Sequence, residues 1–503
     1  MTRRQSGLEL ASIGVILVGA AALRFWNLGA GIPYAVGVDE PQIVERAVRM
    51  MKTGDFNPRF FDWPSLAIYL QLLMSVVTFL LGSMRGLWSH LDQIGPADLF
   101  LAGRAVTALF GTATVWITYL IGRRWGTAEA LVAALLMAVI PYHVRESHYV
   151  LADIPTAFLT TLTFLLALRA HERPTLVAFG WAGLAAGLAA SAKYNGSIAI
   201  LLPLAAGWLT AGTLTVRIQR TCTVCGIAVA GFLAGTPYAV LDMPAFLNDY
   251  ARLATVFARE RLGEPGWSIY LKHLRGALGW PALILAFAGL ILAGVRVLTG
   301  PNRVRWVLLV TFSTVYFFVM AGSYQIYGRY LLPLFPMVSL MAAAATVSIA
   351  SRLRRTSWPR SLVRSLTATL VVGLVVVPAR TAVEFDRGLG RVTTVDLAYR
   401  WIEANVPTGS KVVIERRVLL LPESQYESIN PPSLVPRAYD DYVAEGFEYM
   451  ISSSFEEVFA DPRAHRDRYV AYRQLFDRAE MLASFHRSTD IDGPALVIFR
   501  IRP

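Results

Sequence analysis

Apolar stretches of spanning length punctuate this chain almost from end to end. They run at about 8–28, 98–121, 127–142, 151–169, 175–192, 195–212, 221–240, 275–297, 304–321, 329–350 and 361–380. A helix needs ~20 residues to cross hydrocarbon, and most of these stretches are near that length. Backbone groups in lipid must pair within their own segment, so such stretches are helices. Composition agrees: charged residues make up 16% and mean hydropathy is +0.48, whereas soluble domains carry roughly 25% charged residues. Disorder and an ordinary soluble enzyme are both excluded. Two cysteines in 503 residues exclude a disulfide scaffold.

The net charge is 47 − 35 = +12. A nucleic-acid binder would concentrate it on one soluble module. Here it lies in short loops between apolar stretches, at 122–124, 169–173, 217–220, 296–305 and 351–364, and at the amino terminus. That is the positive-inside pattern, which fixes orientation and implies no nucleic acid. The run 8–28 is too long for a signal-peptide core and reads as a first span. A further apolar run, 64–81, raises a question of parity. Were it to cross, the amino terminus and 122–124 would face opposite sides. We therefore expect 64–81 to lie along, or dip into, the outer face, leaving about eleven spans.

The outer side then holds the long loop 29–97, the loops near 143–153 and 241–274, and the turns at 193–194 and 322–328. Helical spacing of Ile43, Val44, Ala47, Val48 and Met51 predicts an amphipathic helix in the interface over 40–53, and 245–261 reads similarly. From about 384 the chain turns charged and Pro/Gly-punctuated. Helices over 396–405 and 463–480 and strands over 411–415, 449–452 and 495–501 predict a small extracytoplasmic α/β domain. The expected fold is a polytopic α-helical membrane domain, 1–383, followed by that α/β domain, 384–503. The tail contains no phosphate-binding glycine loop.

Chemistry-bearing residues gather on the outer side. Asp39 and Glu40 follow the first span in Val38-Asp39-Glu40-Pro41; the bland alternative is that Asp39 caps the next helix. Asp153 stands at the mouth of a span, after His143, Arg145 and His148. An ionisable residue there is a functional candidate, with a helix cap as the alternative. Arg104, Lys193 and Arg329 sit at outer span ends, against the charge trend. Each alone could be snorkelling; together they suit a phosphate. Tyr194 and Tyr330 adjoin two of them. His143, His148, Asp39 and Asp153 are also divalent-metal ligand types, but the reading we adopt has no metal and no cofactor. Small residues over 183–191 predict close helix packing.

In order, these segments are the first span, V-D-E-P, an amphipathic helix, D-W-P-S-L, R-x-x-x-A-L-F-G, G-R-R-W-G, R-E-S-H-Y-x-x-A-D-x-P, K-Y and R-Y-L-L-P. The set resembles the GT-C glycosyltransferases, in particular the branch of protein O-mannosyltransferases and the lipid A aminoarabinose transferase. The resemblance implies a catalytic acid at Asp39, with Glu40 beside it, a second acid at Asp153, and Arg104 and Arg329 at the lipid phosphate. One departure stands out: Trp63-Pro64-Ser65-Leu66 occupies the place of a Lys-Pro-Pro-Leu in the lipid A branch, so that lysine is missing.

A sugar on a polyprenyl phosphate already carries a good leaving group. Transfer needs a base for the acceptor hydroxyl and cations for the departing phosphate. The expected activity is inverting transfer from a polyprenyl-phosphate donor to a lipid, glycan or protein hydroxyl. The expected place is the outer face of a bacterial inner membrane. Two other classes compete. A polyprenyl-lipid flippase would show mid-span charges and paired broken helices. A receptor or assembly factor would tolerate loss of Asp39 and Asp153.

Overall fold

The computed structural model describes residues 3–502 apart from 34, 35, 38, 260, 262, 301, 302, 423 and 424. Val38 of V-D-E-P and Pro301 and Asn302 of the 296–305 loop thus lie outside the described residues. The chain divides into two units, Met1–Leu28 with Gln42–Asp386, and Gly29–Pro41 with Arg387–Pro503. The sequence reading draws the boundary at 383/384, and the division into units falls at Asp386/Arg387. The stretch 29–41 differs: it belongs to the second unit, and so do Asp39 and Glu40.

The first unit is built from α1 (Arg3–Phe25), α2 (Glu40–Thr53, starting at the partition), α3 (Leu66–Met84), α4 (Phe100–Gly122), α5 (Thr127–Val139), α6 (Pro141–Glu146), α7 (Asp153–Glu172) and α8 (Leu176–Ala192). It continues with α9 (Leu201–Leu209), α10 (Leu214–Gly235), α11 (Tyr238–Leu241), α12 (Met243–Phe257), α13 (Gly266–Thr299), α14 (Arg303–Ala321), α15 (Phe335–Leu353) and α16 (Arg360–Leu389). Short 3-10 helices, Tyr194–Ile200 and Gly328–Leu334, lead into α9 and α15. Among the described residues nine helices are long and apolar enough to cross a membrane, and three shorter apolar ones accompany them. The chain is an integral membrane protein, and every expected span is helical.

α3 is among the nine, yet its neighbours argue that it does not cross. At one end of the α1–α4 pair, Glu9 accepts from the Tyr119 hydroxyl at 2.6 Å and pairs with Arg123. At the other end, Arg104 donates to the Leu28 carbonyl at 3.0 Å. The two helices are antiparallel, so the segment between them leaves and re-enters on one face, called here the loop face. One helix of spanning length cannot cross and return. Contacts of its first turns agree: Ser65 N–H donates to the Thr236 hydroxyl at the end of α10, and the Gln71 amide donates to the Leu99 carbonyl before α4.

The expected interfacial role of 40–53 needs correction. The α2 positions Ile43, Val44, Ala47 and Met50 are 0% exposed, so its apolar stripe packs against protein instead of lipid. α12 has no buried residue and keeps Met243, Leu247 and Tyr250 exposed. Along 183–191, a Cβ on Gly183 or Gly187 would run into the carbonyls of Val224 and Ala228. Close α8–α10 packing therefore depends on those glycines. α5 ends at extended Ile140, as the residue before Pro141 dictates. α13 breaks at Gly279, with φ of 69°, two residues before Pro281.

The second unit contains α17 (Thr394–Asn405), β1 (Lys411–Ile414), β2 (Glu427–Ile429), α18 (Tyr439–Ala444), β3 (Tyr449–Ser452), α19 (Phe455–Ala460), α20 (Arg466–Arg478), β4 (Glu480–Phe485) and β5 (Leu496–Arg500). Its five-stranded sheet has the order β2-β1-β3-β5-β4. β1 pairs in parallel with β2 and β3, and β5 runs antiparallel to β3 and β4. Strand alternation fills two cores. Val412, Ile414, Ile451 and Ile498 pack on one face with α17, and Val413, Met450, Val497 and Phe499 on the other with α18 and α20. Thr393 caps α17 with a reciprocal Asp396 bond.

Candidate functional site

Several span ends on the loop face converge on one charged basin. α7 opens with Asp153, whose carboxylate is 5% exposed and accepts from the Lys193 ammonium at 2.6 Å. Asp153 is thus an ion-pair partner, and the cap position falls to Ala152. Lys193 ends α8, where extended backbone turns the chain into the next 3-10 helix. Its ammonium also stands 4.6 Å from the Tyr330 ring centroid. The Tyr330 carbonyl accepts from the Tyr316 hydroxyl at 2.8 Å, which accepts in turn from the Asn195 amide at 2.8 Å. Four separate elements are thereby fixed about Lys193.

α6 supplies the adjoining wall. Arg145 chelates the Glu146 carboxylate, with 2.8 and 2.5 Å bonds to one oxygen. Burial raises the Glu146 carboxyl above its ordinary range, against the pull of Arg145, and the nearby Asp153 charge adds to the rise. Arg329 acts on it from the opposite direction and stands 5.3 Å from the Tyr327 ring. Gly328 admits Tyr142 at close range: a Cβ there would lie 2.7 Å from that ring. The Tyr142 hydroxyl in turn meets His273 Nδ1 at 3.1 Å.

Of the residues expected at the site, Asp153, Lys193, Arg145, Arg329 and Tyr330 come together here. Tyr194 faces away, donating to the Phe61 carbonyl at 2.9 Å. His143 and His148 are 0% and 1% exposed, and both turn to the far side of α6. Burial, and then the Arg24 charge, lowers His143 well below the usual imidazole range; burial lowers His148 as well. Both imidazoles, expected beside a substrate, are buried here against α1 and the Trp26 carbonyl. Arg104 is 1% exposed. It bonds the Leu28 carbonyl and stands 5.5 Å from the Tyr149 ring. Among the described residues no three His, Cys, Asp or Glu side chains are placed to hold a metal ion.

In the second unit, Asp39 is half-buried in a turn and Glu40 opens α2. The Glu40 carboxylate accepts from the Gly37 N–H at 2.7 Å and is 0% exposed, so it closes the turn that presents Asp39.

An apolar cavity of about 390 Å³ lies among α13, α14 and α15 in the first unit. Trp267, Leu274, Leu278, Phe317 and Met341 line it, together with Leu334. Leu334 lies on the same 3-10 helix as Arg329 and Tyr330. The cavity flanks the α13 break on both sides, through Leu278 and Leu283.

Residues 16–239 match the family described as dolichyl-phosphate-mannose-protein mannosyltransferase. Among solved structures, the ArnT of Cupriavidus metallidurans bound to undecaprenyl phosphate superposes with a TM-score of 0.59 at 14% identity. That match covers 99% of this chain and 98% of that one. The chain has the GT-C fold. The apo oligosaccharyltransferase of Archaeoglobus fulgidus shares this fold at a TM-score of 0.61 and 13% identity, covering 98% of this chain and 76% of that one. No curated protein matches in sequence. Within the GT-C fold seen here, Glu146, Asn195 and Tyr316 were not singled out from sequence. Glu146 and Asn195 had a signal in their positions beside Arg145 and the Lys193-Tyr194 pair, whereas Tyr316 sits in an ordinary apolar run.

Proposed function

We propose that this chain is a glycosyltransferase using a polyprenyl-phosphate sugar as donor. The 16–239 family match and the GT-C fold support glycosyl transfer in general. One observation carries the finer reading: a single 3-10 helix bears Arg329 and Tyr330 beside the charged basin and Leu334 in the apolar cavity. A donor of this class has the same two parts, a phosphosugar head and a prenyl tail.

In this reading the tail occupies the cavity and the head lies against Lys193 and Arg329. The acceptor oxygen attacks the anomeric carbon, the bond from that carbon to phosphate oxygen breaks, and polyprenyl phosphate departs as an anion. Asp39 takes the acceptor proton, an assignment that rests on its motif, and attack from the opposite side inverts the centre. Lys193 and Arg329 stabilise the departing phosphate, as fixed cations do where negative charge develops. Asp153 holds Lys193 at the required place, and Arg104 ties α4 to the Leu28 carbonyl just after α1. Sugar and acceptor, whether lipid, glycan or protein, are for the assay to name. We place the reaction on the non-cytoplasmic face of a bacterial inner membrane, because the basic loops mark the other face as cytoplasmic.

The test is transfer by purified protein in detergent, with a panel of radiolabelled polyprenyl-phosphate sugars and native membrane extract. Label should move to a new product with release of polyprenyl phosphate, and Asp39→Asn should abolish it. Undiminished transfer by folded Asp39→Asn would remove the base assignment. Lipid binding without turnover in the wild type would favour a flippase or receptor.

A further inference from the structure

α6 is six residues long, far short of the length at which a helix holds itself together in water. It is also cut off from α5 by the Ile140–Pro141 break. Its orientation therefore comes from tertiary contacts. One side bears Arg145 and Glu146 toward the basin. The other bears His143, and His148 just past its end.

Behind it lie two buried charges with no part in the transfer scheme. Arg24, 0% exposed, donates to the carbonyls of Ala20 and Ala138 at 2.9 and 3.0 Å and reaches His143 Nδ1 at 3.0 Å. It binds the end of α1 to the end of α5 and the start of α6. Asp386, also 0% exposed, stands with one carboxylate oxygen 3.5 Å from His148 Nε2. Its backbone carbonyl accepts from the Asn27 side chain at 3.0 Å. His148 Nδ1 and Nε2 meet the carbonyls of Val144 and Trp26 at 2.9 and 3.0 Å.

The polar accounting here is incomplete in a specific way. Arg24 donates to His143 Nδ1, so a neutral His143 carries its proton on Nε2. That Nε2, Arg24 Nε and both Asp386 carboxylate oxygens have no hydrogen-bond partner among the described residues. Donors and acceptors lie buried together without direct bonds. Such groups are costly to bury, and an apolar replacement would relieve the cost.

We propose that Arg24 and Asp386 are positioning residues, which set the orientation of α6 through His143 and His148 and so aim Arg145 and Glu146 into the basin. The catalytic consequence rests on the transfer reading above; the structural half does not. Two measurements on the full-length protein test it. Hydrogen exchange of the 141–149 segment should speed up about tenfold in Asp386→Asn and in Arg24→Gln, with other segments unchanged. In the transfer assay, Asp386→Asn should lower kcat about tenfold, with the donor KM within about twofold of wild type. Arg24→Lys should recover more activity than Arg24→Gln, and it replaces that variant if Arg24→Gln does not fold. Unchanged exchange at 141–149 would overturn the proposal, and so would faster exchange with full kcat. A wild-type chain without turnover would count against the transfer reading alone, leaving exchange to decide the positioning role.

Discussion

Two fully buried carboxylates, one in each unit, are treated in opposite ways. Glu415, just after β1, accepts five hydrogen bonds. They come from the backbone N–H groups of Leu434, Ser453 and Ser454 and from the Ser452 and Tyr472 hydroxyls. Asp386, near the end of α16, accepts none on its carboxylate among the described residues. Burial pushes Glu415 upward, but the Tyr472 hydroxyl and the backbone donors outweigh it and hold the carboxyl below its ordinary range. A saturated carboxylate is a fastening: it joins the ends of β1 and β3 to the 431–436 loop. Asp386 instead stands 3.5 Å from His148 Nε2, without a direct hydrogen bond among the described residues. Asp153 stands between the two, with one close partner in Lys193.

The contrast is open to direct attack. Glu415→Gln removes the charge and turns an amide donor toward backbone donors. It should destabilise the second unit by roughly 3 kcal/mol, read as earlier protease cleavage within 387–503 on heating. Lys193→Met leaves Asp153 buried without its close ion-pair partner and should cost roughly 2 kcal/mol. Adding Asp153→Asn should return part of that, as a double-mutant cycle would show. Acid gives a third, graded test. Because the folded Glu415 value lies below the ordinary 4.5, its contribution is fully present above that pH. It fades as pH falls further toward the folded value, so the second unit should open first on acidification and Glu415→Gln should flatten the response. The smallest effect belongs to Asp386→Asn, which should change stability by less than about 1 kcal/mol. A large loss there would erase the distinction between the two carboxylates.

Much of this architecture is legible in the sequence because a bilayer demands long apolar helices and basic loops on one side. Among the described residues eight of the expected spans are helices long and apolar enough to cross, three (127–142, 175–192 and 195–212) are shorter apolar helices, and β3 matches its expected limits. In the second unit, β2 and β4 escaped the sequence reading. β2 is a three-residue edge strand, and β4 alternates irregularly around a shift between Met481 and Ala483. α2 has the periodicity of an interfacial helix, but periodicity reports an apolar face and is silent on what covers it. At the site, Asp153, Lys193 and Arg329 stood out as charges at span mouths. Arg24 carried the same signal, an ionisable residue inside a first span, and was passed over. Asp386 was hidden because α16 continues to Leu389, past its expected end near 380. The two histidines were visible, but which way they turn depends on the Pro141 break and the Arg24 contact, neither of which spacing encodes.

α3 spans 19 residues, about 28 Å of helix, and returns to the face from which the chain set out. Leu73, Leu80, Leu81 and Met84 remain exposed along it. Seated along that face in a bilayer, its volume would enter one leaflet with no counterpart in the other. A cylinder of that length and of side-chain diameter displaces roughly 300 Å² of lipid from that leaflet alone. A helix so seated would act as a one-sided wedge, setting the two monolayers at unequal area and favouring bending toward the side opposite the loop face.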